Sequence, residues 1–335
     1  MSDKRYLGNI ITPTPTEPSG PYQDGAAPGV WSLAEAFAYT KGGLWPIAGN
    51  AAPTGLFAGG SGQTDVIEKI IIASTGNATD FGDLTVARQD CGACSSSTRG
   101  VFGGGFAGTN RNVMDYVTIS TAGNAIDFGD FANATAGLAS CSSSTRGLFA
   151  GGERDNGNTN NIVYITIATT GNTTTFGNLT VTIPQLAGCS SSTRGVIGGG
   201  GGPINVIGYV TIATTGNATD FGDLTVARNG LAACSSSTRG VFGGGSDPAE
   251  DNVVIDYVTI ATTGNATDFG DLTSPRVFLA ACSSSTRGVF GGGNGTNIIN
   301  YVTIDSTGNA VDFGDLTVAR SALAACSDSH GGIPA

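Results

Sequence analysis

Charge is scarce in this chain, and what there is runs acidic. Only 12 % of its 335 residues are Asp, Glu, Lys or Arg, and the formal net charge is −11. Nucleic acid is therefore not an expected partner, because neutralising phosphates takes clustered Lys and Arg. One histidine, His330, is too few for an imidazole-based metal centre. No apolar run approaches the roughly 18 residues of a membrane span, so membrane insertion is not expected. Tyr6-Leu-Gly-Asn-Ile-Ile-Thr-Pro supplies no apolar core of signal-peptide length, and export by a signal peptide is not expected either. The low charge does not mean disorder. Apolar residues make up 39 % of the chain and recur on a schedule.

That schedule is a repeat. Cys-Ser-Ser-Ser-Thr-Arg-Gly occurs five times, starting at Cys94, Cys141, Cys189, Cys234 and Cys282, within near-copies of a longer unit. The intervals Lys69 to Arg99, Tyr116 to Arg146, Tyr164 to Arg194, Tyr209 to Arg239, Tyr257 to Arg287 and Tyr301 to Gly331 are all 30 residues. All change in length falls between the glycine run after Arg-Gly and the next tyrosine. Insertions confined to one connection present a variable loop on one face of a constant frame.

Six cysteines (Cys94, Cys141, Cys189, Cys234, Cys282 and Cys326) hold one position of the unit, and Cys91 is the extra. Equivalent positions lie a repeat apart, beyond the roughly 4.4–6.8 Å Cα separation of a disulfide. Small buried thiols on a packed strand are expected. Cys91 and Cys94 form a lone Cys-x-x-Cys with no second pair, so neither metal nor cofactor is expected.

Read from Gly240, the unit gives four short strands. They are Gly-Val-Phe-Gly-Gly-Gly, then Val254-Ile-Asp-Tyr-Val-Thr-Ile-Ala-Thr, then Thr-Asp-Phe-Gly-Asp-Leu around Phe269, then Phe278-Leu-Ala-Ala-Cys-Ser-Ser-Ser. The β-branched second segment stops at Thr-Gly-Asn, which reads as a tight hairpin turn. Four antiparallel strands per 40-odd residues make a propeller blade, with the small residues innermost. The first unit opens on second-strand sequence, Gly55-Leu-Phe-Ala-Gly-Gly, and the chain ends on first-strand sequence, Leu323-Ala-Ala-Cys-Ser-Asp-Ser. The expected fold is all-β, a six-bladed propeller over 55–335 closed by the C-terminal strand. A second register stays open, in which Leu44–Ala48 supplies the strand and the C-terminus is left outside.

This layout resembles the kelch repeat. Glycine doublets stand at Gly103-Gly104, Gly151-Gly152, Gly198-Gly199, Gly243-Gly244 and Gly291-Gly292, and the strand aromatic at Tyr116, Tyr164, Tyr209, Tyr257 and Tyr301. Phe81, Phe128, Phe176, Phe221, Phe269 and Phe313 stand where kelch repeats carry Trp, so the chain is kelch-like. Arg88, Arg228, Arg276 and Arg320 precede the inner strand. The resemblance covers 55–335 and implies a kelch-like β-propeller.

Residues 1–54 belong to no repeat. Thr12-Pro-Thr-Pro-Thr-Glu-Pro is proline-set linker. Trp31-Ser-Leu-Ala-Glu-Ala-Phe-Ala-Tyr-Thr-Lys predicts one short helix over 32–41, with Ser32 and Glu35 as capping box and Gly42 as its end. Its apolar side, Leu33 and Phe37 with Trp31 and Trp45, needs a surface: the propeller's own side or a neighbouring subunit. Gly8-Asn-Ile-Ile-Thr, Gly29-Val-Trp-Ser-Leu-Ala-Glu-Ala and Leu44-Trp-Pro resemble the openings of tail-fibre and other virion proteins of tailed bacteriophages. The Tyr-Val-Thr-Ile-Ala-Thr-Thr-Gly-Asn-Ala-Thr-Asp-Phe-Gly-Asp-Leu repeats resemble those of marine phages, cyanophages above all. The resemblance implies a virion protein assembled in the host cytoplasm, anchored to other virion proteins through 1–54, with a homo-oligomer left open.

Chemistry is thin. Asp-Phe-Gly recurs without the other kinase elements, and no nucleophile–base arrangement stands out, so an enzyme is not expected. Arg99, Arg146, Arg194, Arg239 and Arg287 would ring one face and pair with the aspartates of adjacent Thr-Asp-Phe turns, or hold an anion. The variable loops carry the partner and ligand candidates: Phe106, Asn110, Arg111, Glu153, Arg154, Asp155, Asn158, Asn160, Asp247, Glu250, Asp251, Asn294 and Asn297. Their amides suit a glycan or a polar protein rim; tolerated surface drift is the plain alternative. The expected function is that of a non-enzymatic virion structural protein: fibre, tail-associated subunit or head decoration. The alternatives are a receptor-binding lectin recognising host-surface glycan, and a cellular kelch-like interaction adaptor.

Overall fold

Each repeat folds into a four-stranded antiparallel sheet, and six such sheets stand as blades round one axis. The computed structural model describes residues 5–7, 30–32 and 52–333, and the chain divides into two compact units, Met1–Ala52 and Pro53–Ala335. Among the described residues there is no helix, and the fold is an all-β six-bladed propeller. One blade, from axis to rim, is Ala232–Ser235, Arg239–Gly243, Val254–Thr259 and Thr267–Asp271. The others repeat that order, with innermost strands in contact round the whole ring.

The two ends of the propeller sequence meet in one sheet. Ala324–Ser327 pairs with Thr54–Ala58, Ala324 opposite Ala58 and Ser327 opposite Gly55. Val66–Ile71 and Thr79–Asp83 complete that blade. Leu44–Ala48 lies outside the described residues. In the first unit, Arg5–Leu7 pairs antiparallel with Val30–Ser32, Tyr6 opposite Trp31. The helix expected over 32–41 therefore does not begin at Ser32. The strand-forming Val30-Trp31 pair and a partner strand override the capping-box signal there, and 33–41 lie outside the described residues.

Six hydrophobic clusters form the core, each shared by two adjacent blades. Phe221 and Leu224 of one blade pack with Phe242 and Val258 of the next. Each such side chain contributes about 1.5–3 kcal/mol through burial. At the axis the approach is closer. Every repeated thiol lies against the glycine of the next blade's second strand: Cys94 on Gly147, Cys141 on Gly195, Cys189 on Gly240, Cys234 on Gly288, Cys282 on Gly55, Cys326 on Gly100. A methyl group on Gly240 would sit 2.7 Å from Cys189 Sγ. The seven cysteines are free and buried. Burial pushes Cys141, Cys234 and Cys326 up to about 12, so these thiols act as spacers rather than nucleophiles.

Hydrogen bonds then tie blade to blade. Ser95, Ser142, Ser190, Ser235, Ser283 and Ser327 each donate a hydroxyl hydrogen to the main-chain carbonyl of the preceding serine round the ring, at 2.6–2.9 Å. At four of these junctions the preceding N–H donates back to the same hydroxyl. On the rim, the Thr-Gly-Asn segments do not make the tight turns expected of them. They cross to the neighbouring blade: Gly264 N–H donates to Phe221 O and Ala266 N–H to Asp223 O, both at 2.7 Å. Asn265 Oδ1 accepts from Asp223 N–H at 3.1 Å. The same three bonds recur at the other five junctions. Each outermost strand thereby gains a partner along its outward edge, which would otherwise be open to pairing with other chains.

The arginines of Thr-Arg-Gly also differ from expectation. Arg99, Arg146, Arg194, Arg239 and Arg287 lie over Tyr116, Tyr164, Tyr209, Tyr257 and Tyr301, 4.1–4.3 Å from the ring centroids. Each Nη1 donates to an isoleucine carbonyl of the next blade at 2.8–2.9 Å. The aspartates Asp80, Asp127, Asp220, Asp268 and Asp312 stay exposed. A ring face and a carbonyl, both partly desolvated, hold the guanidinium where a solvated carboxylate would gain little.

Arg88, Arg228, Arg276 and Arg320 are fully buried. Three face carboxylates: Arg88 with Asp115 at 2.9 Å, Arg228 with Asp256 at 2.7 Å, and Arg320 with Glu68 at 2.5 Å. Arg276 meets the neutral Asn300, and burial lowers its pKa to about 10. The two blades that lack this arginine carry Thr135 with Val163 and Ile183 with Gly208 at the same places. In those two blades the pair is lost as a unit, as expected when one stranded charge costs more than the pair gains, while Arg276 keeps its place against an amide.

Two predictions follow from the packing. Asp256→Ala should cost about 3–5 kcal/mol in urea unfolding, whereas Arg228→Thr combined with Asp256→Val, copied from Thr135 and Val163, should cost under about 2 kcal/mol. Gly240→Ala should cost about 1–3 kcal/mol by overpacking, and adding Cys189→Ala should recover at least half of that in a double-mutant cycle.

Candidate functional site at the variable-loop face

The connection between second and third strands opens, in every blade, at the end of the axis where the inner strands begin. Isolated bridges join the two there: Gln89 with Phe106, Ala136 with Glu153, and Asn229 with Ser246. Loops of different length thus surround one mouth of the axial channel.

Several candidate side chains turn out to hold their own loops. Asp247 Oδ1 accepts from the N–H groups of Ala249 and Glu250 at 2.7 and 3.0 Å, and its Oδ2 accepts from Asn252 Nδ2. These bonds hold its carboxyl below the usual aspartate range. Arg111 donates to Ala107 O at 2.8 Å, and Asn160 to Leu179 O at 3.4 Å. Phe106 is half-buried and bridges both Gln89 and Asn110. Asn294 Nδ2 donates to Asp251 Oδ2 at 2.8 Å, joining two neighbouring loops. Asn297 is half-buried, its carbonyl accepting from Leu316 N–H. Glu153, Asp155, Asn158 and Glu250 are exposed. The first three belong to a small hairpin, Glu153–Arg154 paired with Gly157–Asn158, in which burial lowers the pKa of Arg154. Of the arm candidates, Trp31 sits in the strand opposite Tyr6; Leu33, Phe37 and Trp45 lie outside the described residues.

The feature that sequence reasoning missed is at the mouth itself. Asp90, Gly137, Gln185, Gly230, Phe278 and Ala322 each begin the approach to an inner strand, and they form a closed ring. Each N–H donates to the carbonyl of the residue before it round the axis, at 2.7–3.2 Å. All six are left-handed, with φ between 56° and 64°. Holding a non-glycine residue there costs on the order of 1–2 kcal/mol, and four of the six are not glycine. The ring lines a cavity of about 70 Å³, on the scale of several waters. Asp90 accepts from Gln89 Nε2 at 3.1 Å, and burial, with Glu153 nearby, raises its pKa. The only signal in the sequence was variability: the residue before Leu-Ala-Ala-Cys differs in nearly every copy, while the serine ring does not vary.

The opposite mouth is stoppered by the chain itself. Asp328 and Thr54 exchange hydrogen bonds at the end of the closing strand, and Gly331 N–H reaches Ser235 O across the axis. Gly332 N–H donates to His330 Nδ1 at 3.0 Å, which leaves the proton on Nε2. Nε2 lies 3.2 Å from both Ser95 O and Ser142 Oγ. Burial lowers the pKa of His330 to about 4. A histidine depressed from 6.5 contributes stability fully present above pH 6.5 and lost as pH falls toward 4, at most about 3 kcal/mol. His330→Gln should therefore lose less stability than the parent between pH 6.5 and 4, measured by urea unfolding of both proteins across that range.

Among the described residues no group of three His, Cys, Asp or Glu side chains is placed to hold a metal ion. No protein-family model matches the chain, and no curated protein is significantly similar to it.

Proposed function

We propose that this protein is a non-enzymatic display module: a rigid propeller that presents its variable-loop face to a partner and is attached through residues 1–54. One observation carries the reading. The connection that varies in length opens on a single face, while the serine-to-carbonyl bonds at the axis and the three rim bonds recur at all six junctions. A surface free to vary on an invariant frame is the arrangement of a recognition face. The exposed hairpin residues Glu153, Asp155 and Asn158 supply polar groups for contact. The acidic balance of the chain adds to the reading, since it favours solubility and disfavours anionic surfaces.

The setting proposed is a tailed-bacteriophage virion, on the resemblance of the first 54 residues and of the repeats. Other virion proteins would be the partners of residues 1–54, and a host-surface glycan or protein the partner of the loops. Immunogold electron microscopy of purified particles tests this. The full chain should label particles, and deletion of 1–52, which spares the closing strand Thr54–Ala58, should abolish labelling while leaving the propeller's Tm within about 2 °C. Unlabelled particles with the full chain, or labelling that survives the deletion, would contradict it.

A further inference from the structure

The axial mouth on the variable-loop face departs from the sixfold pattern in a regular way. Round the ring the residues run Asp90, Gly137, Gln185, Gly230, Phe278, Ala322. A carboxylate, a carboxamide and a phenyl ring occupy alternate corners, and a glycine or alanine separates each from the next. The small residues make room for the large ones. A Cβ on Gly230 would meet the Phe278 ring at 3.2 Å, and one on Gly137 would come 3.8 Å from Gln185 Cγ. The Phe278 ring and the Gln185 side chain thus lie against the glycine before each, and all six residues line the cavity.

Packing does not require these side chains. Glycine already fills two corners of the same ring with the same backbone bond, so the frame tolerates it there. Asp90, Gln185 and Phe278 are instead held left-handed, a conformation that disfavours them, Phe278 above all. Side chains retained against backbone preference, converging on a cavity, point to a ligand.

We propose that this mouth binds the terminal residue of a saccharide. Phe278 would stack on the apolar face of the sugar ring, and Asp90 Oδ1 and the Gln185 carboxamide would hydrogen-bond its hydroxyls. At about 70 Å³ the cavity suits capping a chain end rather than enclosing a free molecule. The loops around it then contact the adjoining residues of the chain. This inference deepens the reading of the loop face as a recognition face and rests on it.

The test uses the full chain and a panel of glucose, galactose, mannose and N-acetylglucosamine, followed by ligand-observed saturation-transfer NMR. At least one sugar should bind. Phe278→Gly should weaken that binding at least tenfold while raising Tm by roughly 2 °C, because it releases a left-handed side chain. Gly137 and Gly230 already hold equivalent corners of the ring with the same conformation and backbone bond. Asp90→Gly should weaken binding similarly. Binding that survives both substitutions, or no binding by any of the four sugars, overturns the proposal. Either outcome leaves particle labelling through residues 1–54 unaffected, so failure here is separable from failure of the display reading.

Discussion

A serine hydroxyl that donates to one strand and accepts from it is what lets six narrow sheets share an axis. The innermost strand of a propeller blade has main-chain groups along its free edge, facing the channel, and buried N–H and C=O groups must find partners. Neighbouring inner strands do not pair with one another as a sheet; the hydroxyls of Ser95, Ser142, Ser190, Ser235, Ser283 and Ser327 bridge them instead. Each bond contributes only about 1 kcal/mol net, but losing one leaves a buried carbonyl unpaired at roughly 1–3 kcal/mol. The same spacing dictates the neighbours. A serine close enough to bridge brings the preceding cysteine against the next blade's second strand, and only glycine leaves room for the sulfur. Cys-Ser and Arg-Gly are thus two halves of one contact.

The axial ring is matched on the rim by the Gly-Asn-Ala segments, which pair with the outward edge of the preceding blade. Between the two rings lie the six shared apolar clusters. The resulting frame is held in both directions by directional bonds, with apolar packing filling the interval. Its low content of charge fits this design. Of the buried arginines, Arg88, Arg228 and Arg320 come with carboxylates and Arg276 with the Asn300 amide, and where the arginine is absent so is the acid.

How much of this was legible in the sequence depended on whether the signal was local. Strand order at the two ends, Gly55-Leu-Phe-Ala and Leu323-Ala-Ala-Cys, gave the closure, because a closed ring has one consistent way to use them. The fate of Thr-Gly-Asn was not legible, since a hairpin and a crossing segment both favour Gly and Asn. Nor was the seat of Arg99 and its equivalents: the tyrosine that receives each one is 14 to 18 residues away in sequence but diagonally across on the adjacent strand. For the loops, length change confined to one connection pointed to one face, where the structure has that connection in every blade. It could not show that Asp247, Arg111 and Asn294 are occupied in shaping the loops themselves. The left-handed ring at the mouth was invisible as conformation and visible only as variability at one column of the repeat. Taken together, a nearly uniform frame supports two non-uniform features on one face, the loops and the ring they surround.

Native-state hydrogen exchange tests the central claim, that inter-blade bonds rather than individual sheets define the cooperative unit. The N–H groups of Ser95, Ser142, Ser190 and Ser235 at the axis, and of Gly76, Gly123, Gly171, Gly216, Gly264 and Gly308 on the rim, each donate across a blade junction. If the rings hold the propeller together, these amides should exchange with a single free energy equal to that of global unfolding. Rim amides that exchange junction by junction, at free energies well below the global value while the axial set stays protected, would contradict the account.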